Sequence, residues 1–260
     1  MIAMFLVSAL LGGVPFAPAG PDTVLPRHMT RAGLVIEYAD ADSATVSALV
    51  GVLTEGRSAV QAFFGAPFGR PFTVRVFPDR ASLTAHWAAA WGVPDPHAEC
   101  WMVASGVGDE LALLSPRAWR SEACEHDPTD TASTRRVLWH ELVHVYHGQH
   151  NPRPTFDGMD DLGWFAEGLA VVASGQLDAE HRDDARQAIA AGHAPERLAT
   201  AWSGRWRYGV SGSLVAYVDR TWGRRTVTAM LADTTQSGLL ARLGVTEVEL
   251  LSRWRAAAER

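Results

Sequence analysis

Residues 131–150, TASTRRVLWHELVHVYHGQH, contain the metal-binding pattern His-Glu-x-x-His, and the apolar spacing predicts a helix over about 131–147. Side chains four residues apart lie on one face of a helix, so the imidazoles of His140 and His144 can reach the same metal ion. Glu141 lies beside them, where it can take a proton from a metal-activated water without binding the metal itself. The segment therefore predicts a metal-dependent hydrolytic site on a helix.

The two ends of this predicted helix carry the residues that usually begin and end helices. Asp130 or Thr131 can cap the first turn, because their side-chain oxygens accept hydrogen bonds from free backbone N–H groups. Gly148, followed by the pair Asn151-Pro152, is expected to end it. The helical context strengthens the metal-site interpretation.

A catalytic zinc site needs a third protein ligand beside the two histidines, with water in the fourth position. The first candidate is Glu167, within the sequence WFAEGLA and a helix predicted over 161–174. Its neighbours are apolar nearly all round, and a metal would offset the free energy of burying its carboxylate. A loop of about a dozen residues lets this helix fold back on the first, and Gly168 is expected to permit their close approach.

His150 is the alternative third ligand, because its spacing from the two motif histidines is that of the metzincin signature. That signature requires glycine three residues after the second histidine, where this chain has His147. A convincing methionine turn is also missing. His147 and His150 are better interpreted as surface residues, or as residues that support the site near the end of the helix.

The motifs HELVH and WFAEGLA resemble those of the gluzincin zinc metallopeptidases, and in particular the small exported domains called peptidase MA-like. The resemblance implies that His140, His144 and Glu167 bind one Zn²⁺ ion. It also implies that Glu141 is the general base, which activates a zinc-bound water for hydrolysis of peptide bonds. Gluzincins commonly supply a tyrosine or histidine to the oxyanion, and Tyr208 is the candidate in this chain.

Some details of the resemblance leave alternatives open. Tyr217 or His193 could replace Tyr208 in contacting the oxyanion. Some gluzincins carry an aspartate four residues after the ligand glutamate, where it orients a zinc histidine, but this chain has Val171. The group that orients the histidine must then come from elsewhere, with Asp157 or a backbone carbonyl as the candidates.

The hydrophobic pattern changes along the chain. Strands are predicted over 34–38, 72–77, about 101–105 and 110–114, and helices over 42–64, 79–91, 131–147, 161–174, 179–191, 209–222, 224–232 and 246–259. The expected fold is α+β, a two-lobed gluzincin-like metallopeptidase with a mixed α/β lobe over 32–128 and a helical lobe over 129–260. The active site is expected in the cleft between the lobes, where the strand at 110–114 could present an edge to a peptide.

The N-terminus has the composition of an export signal. Residues 1–21 carry no charged side chain, and a small-x-small pattern predicts a signal peptide over 1–19, cleaved after Ala19, then a flexible lead over 20–31. Because no basic residue precedes the apolar run, an uncleaved membrane anchor is the alternative. We expect a secreted or extracytoplasmic protein.

The two cysteines of the chain, Cys100 and Cys124, fit no zinc-binding spacing. Exported chains usually pair their cysteines, so a disulfide is expected, with two buried free thiols as the alternative.

The composition excludes several classes of function. All 23 basic residues are arginine and the net charge is −6, which argues against a nucleic-acid partner. The absence of lysine excludes a P-loop, and no G-x-G-x-x-G pattern occurs, so no nucleotide is expected. The expected partner is a peptide or protein substrate. The alternative is a non-catalytic zinc-binding or scaffold domain of the same fold, and Arg205 and Arg207 are either substrate-carboxylate ligands or part of a solvated loop.

Overall fold

The computed structural model of the protein describes residues 24–93, 96 and 98–259. The predicted signal peptide, its cleavage after Ala19 and the alternative membrane anchor lie outside these residues. Within the described ranges, every helix is too short or too polar to cross a membrane.

The strands of the described residues form one mixed sheet. They are β1 (Arg27–Arg31), β2 (Leu34–Tyr38), β3 (Thr73–Phe77), β4 (Ala104–Val107) and β5 (Glu110–Leu114). Their order across the sheet is β1-β2-β3-β5-β4, with parallel pairs at β2–β3 and β3–β5 and antiparallel pairs at both ends. Alternate residues of β2 are buried, as expected for a strand with one face against a core.

Helices make up most of the remaining chain. They are α1 (Ser43–Phe64), α2 (Arg80–Trp91), α3 (Pro116–Glu122), α4 (Thr131–Gln149), α5 (Gly163–Ala173), α6 (Ala179–Ala190), α7 (Arg207–Trp222), α8 (Arg224–Met230), α9 (Gln236–Leu243) and α10 (Glu247–Ala258). The predicted α+β class is confirmed, because the strands precede residue 115 and only helices follow in the described chain. Helices α3 and α9 were not predicted. Each has only about two turns, which is too short a segment for a helical spacing of apolar residues to be recognised.

Two expectations about strands are wrong. Residues 27–31, expected in a flexible lead, form β1 and pair with β2 along its whole length. Most of β1 is exposed, so it lacks the apolar alternation by which a strand is recognised. Strand β5 is not an edge, because it pairs with β3 on one side and with β4 on the other.

Helix α4 lies at the centre of the molecule, in contact with α1, α5 and β4. Asp130 caps it by accepting hydrogen bonds from two backbone N–H groups at 3.0 Å. The buried apolar side chains of the strand-rich and helical parts form one continuous core around it, so the division into two lobes remains a prediction. Gly148 does not end the helix. It lies inside α4, where a Cβ would meet the Pro154 carbonyl oxygen at 2.5 Å.

At Gly106, strand β4 comes close to α4. A Cβ at this position would lie 2.2 Å from the backbone oxygen of Glu141 and 3.0 Å from the Cβ of His144. Glycine is therefore required at this point of contact between the sheet and the motif helix.

We predict that Gly106→Ala lowers the free energy of unfolding by about 2 kcal/mol or more, because strand and helix backbones must separate. The control is Gly51→Ala on α1, where an added Cβ meets nothing within 4 Å; it should leave stability unchanged or raise it by about 0.5–1 kcal/mol. Urea denaturation of the three proteins measures both effects. Equal stability of the Gly106 variant and the wild type would contradict the packing argument.

Candidate metal centre

Helices α4 and α5 bring two imidazoles and one carboxylate together in the interior. His140 and His144 lie one turn apart on α4, and Glu167 lies in the middle of α5; all three are buried. The Nε2 atoms of the two histidines are 3.1 Å apart, and Oε2 of Glu167 lies 3.1 Å from His140 Nε2 and 3.5 Å from His144 Nε2. Residues from two separate motifs thus form one cluster that could hold one metal ion.

The spacing of these donor atoms fits a tetrahedral metal ion. Ligand atoms about 2.0–2.1 Å from a tetrahedral centre lie about 3.3 Å from one another. The three separations in the cluster, 3.1, 3.1 and 3.5 Å, are close to that value. The three atoms can therefore occupy one face of a tetrahedron and leave its fourth corner for another ligand.

Gln176 sets the orientation of the His140 ring. The Nδ1–H group of His140 donates a hydrogen bond to Oε1 of Gln176 over 2.7 Å, which leaves the Nε2 lone pair facing the cluster. Neither Asp157 nor a backbone carbonyl has this role, contrary to the sequence-based candidates. Asp157 instead accepts a hydrogen bond from the Thr155 hydroxyl.

A turn after α5 brings Gln176 back to the motif helix. Gly175 has a positive φ of 78°, and the N–H of Gln176 donates to the carbonyl of Val171 over 2.9 Å. Glycine adopts this left-handed conformation without strain, so it reverses the chain directly after the helix. The sequence indicates a helix end at this point but does not reveal which side chain reaches His140.

Gly168 permits a close helix contact, although with a different partner from the one expected. A Cβ at Gly168 would lie 2.3 Å from the backbone oxygen of Ser211, which belongs to α7 and not to α4. The small residue therefore brings α7 against α5 directly beside Glu167 of the cluster. This contact positions the first turn of α7, where Tyr208 lies.

The charge of Glu167 is stabilised by its neighbours in the cluster. Burial by itself would raise the pKa of this carboxyl, but the rings of His144 and His140 lie beside it and lower the pKa overall. The carboxylate is therefore ionised and available as a ligand. A bound divalent cation would favour the same form.

A cleft of about 240 Å³ opens at the cluster. His140 and Glu141 both line it, and Glu141 is a buried side chain that does not belong to the metal-binding group. Other parts of its wall come from Trp101, Arg136 and Tyr208. A molecule in the cleft would thus meet the predicted general base and one metal ligand together.

Of the three residues proposed to contact the oxyanion, Tyr208 lies at the cleft. Its ring centroid is 6.4 Å from that of His140, and within the described chain its hydroxyl has no hydrogen-bond partner of good geometry. Burial, followed by the charge of Glu167, raises the pKa of Tyr208 well above its ordinary value. Tyr217 instead packs against Trp222, and His193 against Trp206.

Two further histidines near the end of α4, His147 and His150, do not belong to the cluster. His150 stacks on Tyr146 at 4.2 Å, and its Nδ1–H donates to the Tyr146 carbonyl, which excludes the metzincin arrangement. His147 is not a surface residue, because it is buried against Phe156 and Phe165. Burial, with a smaller contribution from His144, lowers the pKa of His147 to about 3.

The predicted disulfide is present. Cys100 and Cys124 are joined, with Cα atoms 5.4 Å apart. The bridge closes the segment between α2 and α4, and Trp101, next to Cys100, lines the cleft. The covalent link therefore lies at the rim of the candidate site.

Comparisons of the chain with protein-family models, with curated proteins and with solved structures found no match. The function is therefore inferred from the residues of the site itself.

We predict that Gln176→Leu lowers the affinity for one divalent ion per chain by about 10- to 100-fold, because His140 loses the acceptor that fixes its ring. Competition of Zn²⁺ with a chromogenic chelator measures the affinity. The control is Gln187→Leu on the exposed surface of α6. This variant should bind Zn²⁺ with the affinity of the wild type. An unchanged affinity in the Gln176 variant would show that the hydrogen bond has no part in metal binding.

Burial of His147 predicts a loss of stability in acid. Its folded-state pKa of about 3 lies below the unfolded value of about 6.5, so the unfolded chain gains a proton first as the pH falls. Between pH 7 and pH 5 this group should remove about 2 kcal/mol of the free energy of unfolding. Urea denaturation of the metal-free proteins at pH 7 and pH 5 measures this loss. Between the two pH values, the free energy of unfolding of the wild type should fall by about 2 kcal/mol more than that of His147→Leu. Equal pH dependence of the two proteins would contradict the buried neutral state.

Proposed function

We propose that this protein is an exported zinc metallopeptidase of the gluzincin type. The observation that carries the proposal is the triangle of donor atoms from His140, His144 and Glu167, next to a cleft that His140 and Glu141 line. Two imidazoles, one carboxylate and one open position are the ligand set of catalytic zinc in metallopeptidases. The motifs HELVH and WFAEGLA supply that set in the expected order.

The donor types favour zinc over other common divalent ions. Magnesium and calcium prefer sites made entirely of oxygen and usually need six or more ligands. Two nitrogens and one oxygen at tetrahedral spacing suit zinc, which binds both imidazole and carboxylate readily. A buried site with three protein ligands also leaves room for a reactant, as catalytic zinc sites do.

The proposed chemistry divides between the metal and Glu141. When bound, zinc would polarise the peptide carbonyl and lower the pKa of water at the site. Glu141 takes the proton of the attacking water and later delivers it to the leaving amine. Its position next to His140, in the wall of the cleft and outside the ligand set, suits a proton carrier that does not compete for the metal.

Tyr208 is the proposed donor to the oxyanion that forms as water attacks the carbonyl. Its raised pKa keeps the hydroxyl protonated at neutral pH, so it can donate a hydrogen bond. The hydroxyl lacks a partner of good geometry in the described chain and is therefore available for a substrate oxygen. A preorganised donor of this kind stabilises the transition state more than the ground state.

The disulfide supports the extracytoplasmic part of the proposal. Disulfides persist in oxidising compartments and are rare in the cytosol. The bond between Cys100 and Cys124 thus agrees with the signal peptide proposed over residues 1–19.

We predict that Glu141→Gln retains one zinc ion per chain but loses peptide hydrolysis by a factor of about 10²–10⁴, because glutamine cannot accept the proton. The purified mature protein should cleave a peptide library, and a chelator should abolish this cleavage. Metal analysis and cleavage rates are measured on the same preparations. Glu125→Gln is the matched control, since Glu125 is an exposed carboxylate in the wall of the same cleft.

Three results separate the possible outcomes. Hydrolysis by Glu141→Gln at the wild-type rate would contradict the role of Glu141. Zinc bound at one per chain with no cleavage of any peptide would favour a non-catalytic metal-binding domain. Failure of the wild type to bind zinc would remove the basis of the proposal.

A further inference from the structure

Arg207 begins α7, next to Tyr208, and lies among aromatic rings. Its guanidinium carbon is 4.7 Å from the ring centroid of Trp101, 5.4 Å from that of Tyr208 and 5.8 Å from that of Trp202. The Nε atom is buried and has no hydrogen-bond partner within the described ranges. The sequence allows two roles for this residue, a ligand of a substrate carboxylate or part of a solvated loop, whereas the structure places its charge against aromatic rings.

One of these rings comes from a distant part of the chain. Trp101 directly follows Cys100, whose disulfide to Cys124 fixes the backbone there. The Nε2–H group of His126 also donates to the Trp101 carbonyl over 2.9 Å. Arg207 therefore connects the disulfide-bonded segment to the first turn of α7.

The ring of Tyr208 depends on this packing for its orientation. Trp202 contacts it edge-on at 4.8 Å, and the Arg207 guanidinium is a second neighbour. In the described chain the phenol hydroxyl makes no well-aligned hydrogen bond, so its direction is held by the ring contacts and by the neighbouring guanidinium of Arg207. A shift of about 1 Å in a catalytic donor can reduce a rate by about 100-fold.

We propose that Arg207 is a positioning residue for Tyr208, and that contact with Trp101 of the disulfide-bonded segment holds Arg207 in place. The proposal rests on the role of Tyr208 proposed above, in which its hydroxyl donates to the oxyanion. Arg207 itself does not line the cleft, so it acts through Tyr208 and not by touching the substrate.

The chain offers a matched control within two residues. The guanidinium of Arg205 lies 4.1 Å from the ring centroid of Trp206, a contact of the same kind. No ring contact places Arg205 against Tyr208 in the described structure. Arg205→Gln therefore removes an equal charge and a similar ring contact without altering the surroundings of Tyr208.

The first test follows Tyr208 without requiring any activity. The four tyrosines are replaced by 3-fluorotyrosine, and the ¹⁹F signal of residue 208 in the metal-free protein is assigned from Tyr208→Phe. We expect Arg207→Gln to shift or broaden this signal, and Arg205→Gln to leave it unchanged. Trp101→Leu should change the ¹⁹F signal of residue 208 as Arg207→Gln does. Trp101→Phe retains an aromatic ring, so its signal should be closer to that of the wild type.

The second test is kinetic. Arg207→Gln should lower kcat by about 10- to 100-fold, with KM within about twofold of the wild type and zinc content unchanged. In a Tyr208→Phe background the same substitution should have little further effect, because both changes act on one donor. Arg205→Gln should retain the wild-type kcat.

The two tests distinguish failure of this inference from failure of the proposed function. A wild-type ¹⁹F signal in Arg207→Gln, or a kcat loss that is undiminished in the Tyr208→Phe background, would overturn the positioning role. If the wild type cleaves no peptide, the proposed function fails, and the ¹⁹F comparison still decides whether Arg207 orients Tyr208.

Discussion

The structure depends on one unfavourable grouping, the convergence of two imidazole nitrogens and a carboxylate oxygen in the protein interior. The Nε2 atoms of His140 and His144 and the Oε2 atom of Glu167 lie within 3.5 Å of one another. Such groups repel unless a proton or a cation lies between them, and burial removes the water that would otherwise screen the repulsion. The hydrogen bond from His140 to Gln176 already occupies the Nδ1 proton of that ring. A shared cation is the simplest way to satisfy all three side chains.

Holding these groups together requires backbones that approach one another closely, and glycines permit this at two sites. Gly106 brings β4 against α4, and Gly168 brings α7 against α5. The first contact supports the helix that carries both histidines. The second places the first turn of α7, with Tyr208, near the carboxylate of Glu167. The geometry of the candidate metal site thus depends on close backbone contacts, one between sheet and helix and one between two helices. These contacts are possible only because glycine has no side chain.

Local features of the site could be read from the sequence, whereas long-range partners could not. The helical spacing of His140 and His144 and the apolar surroundings of Glu167 are properties of short segments, and they predicted the cluster correctly. Gln176 was missed, because its contact with His140 joins residues 36 positions apart through a turn whose direction the sequence does not specify. The partner of Gly168 was wrong for a similar reason, since a glycine indicates a close contact but not the element that makes it. Strand β1 was missed because its exposed residues show no apolar alternation.

The proposed metal ligands and the proposed oxyanion donor are held in place by physically different interactions. His140, His144 and Glu167 are buried on α4 and α5, and a hydrogen bond to Gln176 fixes the ring of His140. Tyr208 lies in the first turn of α7 and is held by ring contacts at the margin of the cleft. Ring contacts are weaker and less directional than a buried hydrogen-bond network. Changes to the ring cluster should therefore alter turnover without removing the metal, whereas changes to the buried cluster should affect both, because the catalytic geometry depends on the metal.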